Sequence, residues 1–370
     1  MPMIDLKNTK SIILCAKDFH GNVVIKYAPS SYLMYQNEDI EIKTSKDQIN
    51  EKTYIDIKYE KGVFFSKFFL FSQSSHTAKI DLFVNEEVTD ISLDINSADI
   101  DINFDDTNIQ NLSIKTIAGD INIDGKTKSK NLKELYINTK AGDVDLNLQS
   151  SQVEETTFKS ASGDFKVNNA KLYNIKFDLA SGDVLILNSI IENLEANFTS
   201  GDISIKDSKV KNVKIHAISG DIDIDYLLKD FNCEIKGISS DIYLNILGKE
   251  KIFLYGNTNR FASSLKSNLD IVTIKNSTEE SSQRLLKIDL VSGDLTIKAK
   301  ELNEKEEHIL NKESNLQQSF YGDDLLTLEE KKILELLKEG KISRIFALEL
   351  LKELGYSNEE GEKFLKERGL

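Results

Sequence analysis

Between residues 91 and 244 the chain alternates apolar and polar positions with a regularity that defines its elements. Counting back eight, six and four residues from a recurring aspartate gives Ile91, Leu93 and Ile95, then Leu112, Ile114 and Thr116. Further along, the same count gives Ile175, Phe177 and Leu179, and Val213, Ile215 and Ala217. Counting forward by one and three gives Ile100 and Ile102, Ile121 and Ile123, Val184 and Ile186, and Ile222 and Ile224. The residues between are mostly polar, among them Ser113, Lys115, Asn122, Asn197, Lys214 and His216. Period-two alternation with a β-branched bias predicts a strand with one buried face. It occurs twice in every repeat.

A Ser/Ala-Gly-Asp turn joins the two strands. Its glycine–aspartate pairs are Gly119-Asp120, Gly142-Asp143, Gly163-Asp164, Gly182-Asp183, Gly201-Asp202, Gly220-Asp221 and Gly293-Asp294, with degenerate copies at Ser97-Ala98-Asp99 and Ser239-Ser240-Asp241. The steps from Asp99 to Asp241 are 21, 23, 21, 19, 19, 19 and 20 residues, and the step to Asp294 is 53, which predicts an insertion or a shifted sub-structure there. Glycine suits a positive φ, and a neighbouring Asp carboxylate can accept backbone N–H groups. A polar loop containing Asn or Lys, with Asn193 in such a position, leads to the next repeat. The few side chains buried in one repeat cannot offset the entropy of ordering about 20 residues, so neighbouring repeats must pair their strands and share their cores. The expectation is a mostly β chain: a β-solenoid of stacked two-strand coils over 91–300.

The repeated S-G-D-φ-x-φ pattern, as at 181–186 and 219–224, resembles a bacterial β-strand-repeat family of unknown biochemical function whose members are called candidate adhesins. The resemblance covers about 40 to 300. Ile80-Asp81-Leu82-Phe83-Val84 is similar to the family's entry strand, although Asn85 stands where a proline is common. It implies an architecture and brings no catalytic residue with it.

The ends read differently. Residues 1–90 alternate without the turn tripeptide and are expected to cap the solenoid, whose strand edges would otherwise template aggregation. Within them, Phe64, Phe65, Phe68, Phe69 and Phe71 form either a hydrophobic plug or an exposed patch that meets a partner or a membrane surface. Residues 301–323 read as a linker. From 324 to 370 the period becomes helical, with capping boxes at 327–330 and 357–360 and a helix start at Ser343, which predicts a small three-helix module. The module resembles one found, at the other end of the chain, in LiaX-like and YvlB-like envelope-stress proteins, and more distantly a ubiquitin-associated fold. Its second helix carries Ile345, Leu348 and Leu351 on one side and Phe346, Leu350 and Leu354 on another, a surplus that predicts protein association or self-association.

Charge and candidate chemistry narrow the function. With 47 Lys and Arg against 61 Asp and Glu, the formal charge of -14 disfavours nucleic acid as a partner. No run of 18 apolar residues predicts a transmembrane helix, and no signal-peptide core is evident, which points to the cytoplasm, while the resemblance allows peripheral contact with the envelope. Cys15 and Cys233 match no metal or disulfide spacing. The four histidines, His20, His76, His216 and His308, are scattered. Ser263-x-x-Lys266 and Ser208-x-x-Lys211 lack the companion motifs of S-x-x-K enzymes. The aspartate column serves turns, or binds calcium or another cation; no cofactor is expected. Together these features predict a non-enzymatic scaffold or interaction protein, and the resemblance implies a role in envelope stress or surface-associated signalling. The alternatives are a calcium-stabilised surface adhesin and, more remotely, a polysaccharide-active solenoid enzyme.

Overall fold

The architecture comes from a computed structural model. It describes residues 2–36, 40–59, 78–126, 131–149, 151–247, 251–256, 266–267, 271–274, 284–300, 332–334, 336–337, 341–353, 362 and 365–366. They fall in two compact units, Met1–Glu301 and Leu302–Leu370.

In the first unit each coil contributes one strand to each of two parallel ladders. The long ladder stacks Asn111–Ala118, Asn131–Thr139, Gln152–Ser160, Lys171–Leu179 and Ile190–Phe198, then the later parts of Ile203–Ser219 and Ile222–Ser239. The short ladder stacks Ile121–Asp124, Val144–Asn147, Phe165–Asn168 and Val184–Leu187 with the earlier parts of the same two long strands. Equivalent residues stay in register from coil to coil: Lys176 lies beside Glu195, and Glu195 beside Lys214. The inward faces of both ladders make one core, in which Ile114, Ile137, Ile186, Ile205 and Ile224 are fully buried. Phe158, Phe165 and Phe177 cluster at its centre, with ring centroids 4.9, 5.1 and 6.1 Å apart.

Both ends break the sequential order of coils. Strand Ser11–Tyr27 pairs in parallel with Asp90–Asn103 on one side, and with Lys52–Tyr59 and Ala78–Val84 on the other, so the first long strand sits inside the array. At the far end, Leu285–Ser292 inserts between the end of Ile222–Ser239 and strand Ile252–Gly256. The 53-residue step is thereby explained: the chain runs outward past its last coil and returns to fill the gap. Antiparallel strands finish the N-terminal end, Ile40–Asp47 on Lys52–Tyr59 and Tyr32–Gln36 on Ala78–Val84.

In the second unit, helix Arg344–Glu353 starts at Ser343, whose Oγ accepts the Phe346 N–H at 3.2 Å. Ala347 and Leu351 are buried with Ile333, Leu334 and Leu365. Helical geometry also occurs at 332–334, 336–337, 362 and 365–366. The three helices expected from the sequence are not shown, and both capping boxes lie outside the described residues. The apolar residues expected on more than one face of the second helix divide between the small core and the surface. Leu351 is buried, Leu348 and Leu350 pack partly against the small core, and Ile345 and Phe346 are exposed.

Candidate functional site: the turn column and the faces it frames

The turn glycines form a continuous stack. From Gly119 to Gly220, and again at Gly293, φ lies between 112° and 130°. A Cβ on Gly163, Gly182 or Gly201 would stand 2.1 to 2.2 Å from the carbonyl oxygen of the preceding turn glycine. Glycine is therefore required by both backbone conformation and close approach.

The aspartates complete the stack. Each backbone N–H donates to Oδ1 of the aspartate one coil back: Asp120 to Asp99 at 3.1 Å, Asp143 to Asp120 and Asp164 to Asp143 at 2.9 Å, and Asp183 to Asp164 and Asp202 to Asp183 at 2.8 Å. The series continues with Asp221 to Asp202 at 2.7 Å, Asp241 to Asp221 at 3.1 Å and Asp294 to Asp241 at 2.8 Å. In return each aspartate carbonyl accepts from the coil before, as when Val184 N–H donates to Asp202 O at 2.8 Å. One carboxylate oxygen per turn is thus engaged by a backbone donor, which supports the turn role over the cation role left open by the sequence. The degenerate Asp99 and Asp241 take part in the same way. Thr116, Thr139 and Ser160 brace the turns by donating to the carbonyls of Ala118, Ala141 and Ser162.

The opposite turn has its own device. Asp106, Gln149, Asn169, Asn188 and Asp207 have φ between 45° and 62°, the left-handed region that Asn and Asp enter most readily among non-glycine residues. Behind them Ser208 Oγ accepts the Ser189 N–H at 2.9 Å and donates to Lys206 O. Lys211 pairs with Glu192. The S-x-x-K at 208–211 is therefore a turn brace beside an ion pair. Ser263 lies outside the described residues, as do Phe64, Phe65, Phe68, Phe69, Phe71 and Leu354.

The outer faces are ladders of mutually bonded polar groups. Asn193 Nδ2 donates to Asn174 Oδ1 at 2.8 Å and Asn212 Nδ2 to Asn193 Oδ1 at 2.8 Å, so Asn193 stands in a strand and not in the loop expected of it. Lys176 Nζ lies 3.0 Å from Glu195, and their hydrogen bond raises the Lys176 pKa and lowers that of Glu195. A groove of about 610 Å³ crosses this face, lined by Asp178, Asn197, His216, Lys236 and Asp289 with Ile218 and Ile238. His216 Nε2 is enclosed without a hydrogen-bond partner. Sequence reading placed His216 outward but did not foresee the groove, which arises because Ala180 and Thr199 are smaller than the isoleucines in line with them. Cys233 is fully buried, its thiol pKa pushed up by desolvation, and both cysteines are free. Among the described residues no three His, Cys, Asp or Glu are grouped to hold a metal ion, and no helix is long and apolar enough to cross a membrane.

Two parallel ladders closed by glycine–aspartate turns define a β-solenoid protein built from a repeated coil. The chain belongs to the Toastrack DUF4097 family, whose profile matches residues 17–298. A candidate adhesin from Bacteroides fragilis is similar at 15% identity with a TM-score of 0.38, over 81% of this chain and 95% of its own. A candidate cell adhesion protein from Clostridium sporogenes is similar at 10% identity with a TM-score of 0.18, over 81% of this chain and 97% of its own. No curated protein matches.

Proposed function

We propose that this protein is a non-enzymatic scaffold, in which a rigid solenoid carries polar faces and residues 324–370 mediate protein association at or near the bacterial envelope. The observation that carries the reading is how the polar residues of the faces are used. Asn174, Asn193 and Asn212, Lys176 with Glu195, and Lys211 with Glu192 bond one another along the stack instead of converging on a reaction centre. On the helical unit Ile345 and Phe346 are 73% and 47% exposed, the kind of apolar surface that a partner covers. The envelope setting rests on the resemblance to LiaX-like and YvlB-like proteins, and the helical module is proposed on the same ground.

The test is the full chain carrying Ile345→Asp and Phe346→Asp. Association with a co-purifying partner in the native host should fall at least tenfold, while the far-ultraviolet spectrum and melting of the solenoid stay unchanged. Unaltered association would overturn the role of the helices. Turnover of a polysaccharide by the wild-type chain would overturn the scaffold reading.

A further inference from the structure

We infer that the outer face of the long ladder, from the coil of Gln152–Ser160 to that of Leu285–Ser292, is a homodimer interface. Its two-fold axis would lie in the face, parallel to the strands, between Ile190–Phe198 and the adjacent strand at 209–217. Such an axis sets each column of side chains against the same column of the second copy, in reverse coil order. The columns are built for that reversal.

The column nearest the turn reads Ala161, Ala180, Thr199, Ile218, Ile238, Val291, all exposed, with the last three at 49%, 50% and 55%. Three small residues are followed by three large ones. Reversal puts Ile218 against Thr199, Ile238 against Ala180 and Val291 against Ala161, so every protruding side chain meets a recess. Two positions earlier the column reads Lys159, Asp178, Asn197, His216, Lys236, Asp289. Reversal brings Lys236 to Asp178, Asp289 to Lys159 and His216 to Asn197. Two positions earlier again stand Thr157, Lys176, Glu195, Lys214, Glu234, Lys287, and reversal brings Lys214 to Glu195 and Glu234 to Lys176. No two like charges meet in any of the three columns.

The register is specific. An axis through the strand at 209–217 would face Lys214 with its own copy. An axis one coil further on would oppose Ile218 to Ile238 and set His216 against Lys236. With strands about 4.8 Å apart and about 3.3 Å per residue, six coils of nine-residue strands present roughly 850 Å². That is close to the ~800 Å² each partner contributes to a standard interface. The groove of about 610 Å³ lies within this footprint and would be filled by the second copy's isoleucines. The proposed interface uses no residue of 324–370, so substitutions in it test this association and not that of the helices.

The test is sedimentation velocity on the full chain with two single variants, E195K and K214E, each checked by circular dichroism for an intact fold. Wild type should be dimeric at tens of micromolar. Each variant alone should raise the dissociation constant at least tenfold, because it sets like charges together on both sides of the axis. An equimolar mixture should recover the wild-type dimer, because the reversed charges then face each other. The pair D178K and K236E should behave in the same way and serves if either first variant fails to fold. A monomeric wild type, single variants that still dimerise, or a mixture that stays monomeric overturns the proposal.

Discussion

Replacing Gly201 by alanine adds one methyl group at a point where two coils approach closely. The backbone there has φ of 120°, a conformation that costs a non-glycine residue about 1 to 3 kcal/mol. The new Cβ would stand 2.1 Å from the Gly182 carbonyl oxygen and 2.8 Å from its carbon, so two backbone segments must part. Overpacking of this kind costs typically about 1 to 3 kcal/mol. Parting them also stretches the bonds from Asp202 N–H to Asp183 Oδ1 and from Val184 N–H to Asp202 O, both 2.8 Å, each worth about 1 kcal/mol net. The expected loss is therefore about 4 to 8 kcal/mol. Ser204→Ala, on the outer face of the short ladder, is the control and should stay within about 0.5 kcal/mol. The assay is urea denaturation followed by circular dichroism, with hydrogen exchange to show whether protection falls first in the coils around 182–221, as nearest-neighbour coupling in a repeat array requires. Equal midpoints for the two variants would refute the inferred need for glycine.

Asp202→Asn should lose little stability, since an amide oxygen still accepts the Asp221 N–H that now lies 2.7 Å from Oδ1, whereas Asp202→Ala should cost about 1 to 2 kcal/mol by denaturant titration. Chelator should leave the melting temperature unchanged, because one oxygen of each turn carboxylate is engaged by a backbone donor; a shift of several degrees, abolished by neutralising Asp183, Asp202 and Asp221 together, would show bound cations instead. Cys233 should resist thiol reagents in the folded protein, and alkaline pH should reveal its burial. The folded thiol pKa is raised, so its contribution is intact below the unfolded value near 8.5 and is lost as pH rises above it. Cys233→Ala should flatten that alkaline loss, measured as the denaturation midpoint against pH.

The repeated coil was legible because its two signals coincide: alternation marks the strands, and the tripeptide marks the turn that joins them. Where one signal is missing, sequence reading loses the architecture. Ser11–Tyr27 makes a complete coil, but between Ala16 and His20 its turn is irregular and has no Gly-Asp, so nothing local shows that it pairs with Asp90–Asn103 more than 70 residues on. Parallel pairing is a long-range choice that leaves no mark on the neighbouring residues. Asn193 was misplaced for a related reason. Glu192 and Asn193 are consecutive polar residues that interrupt the alternation as a loop would, yet both lie partly exposed within a continuous strand, and the asparagine is kept by its partners in the adjoining coils. In the helical unit, counting apolar positions showed a surplus without showing which residues form it: Ile345 and Leu351 fall on one sequence stripe, but only Leu351 reaches the core. The groove could be found only once the columns were stacked, because it depends on which small residue follows which large one across coils.

How the ladders end bears on where a second molecule can attach. A parallel ladder offers an open row of N–H and C=O groups at each end, and a solenoid with bare ends would stack into filaments. Here the first end turns antiparallel. Its outermost long-ladder strand, Ile40–Asp47, exposes Glu41, Lys43 and Lys46, with Lys43 paired to Glu41 at 3.1 Å and Lys46 Nζ bonded to Lys7 O at 3.1 Å. The short ladder ends there in Met3–Asp5, only three residues long. At the other end the outer strands among the described residues are Ile271–Ile274 and Lys266–Ser267, four and two residues long. Charged side chains and short strands are the devices that keep sheet edges from pairing, and the chain uses both. Edge-to-edge growth is thereby discouraged while the faces are left open, and a face can pair only once before it is covered. Association through the columns must therefore saturate at two copies, which is why a discrete dimer, rather than an open series of oligomers, is the species the sedimentation experiment should find.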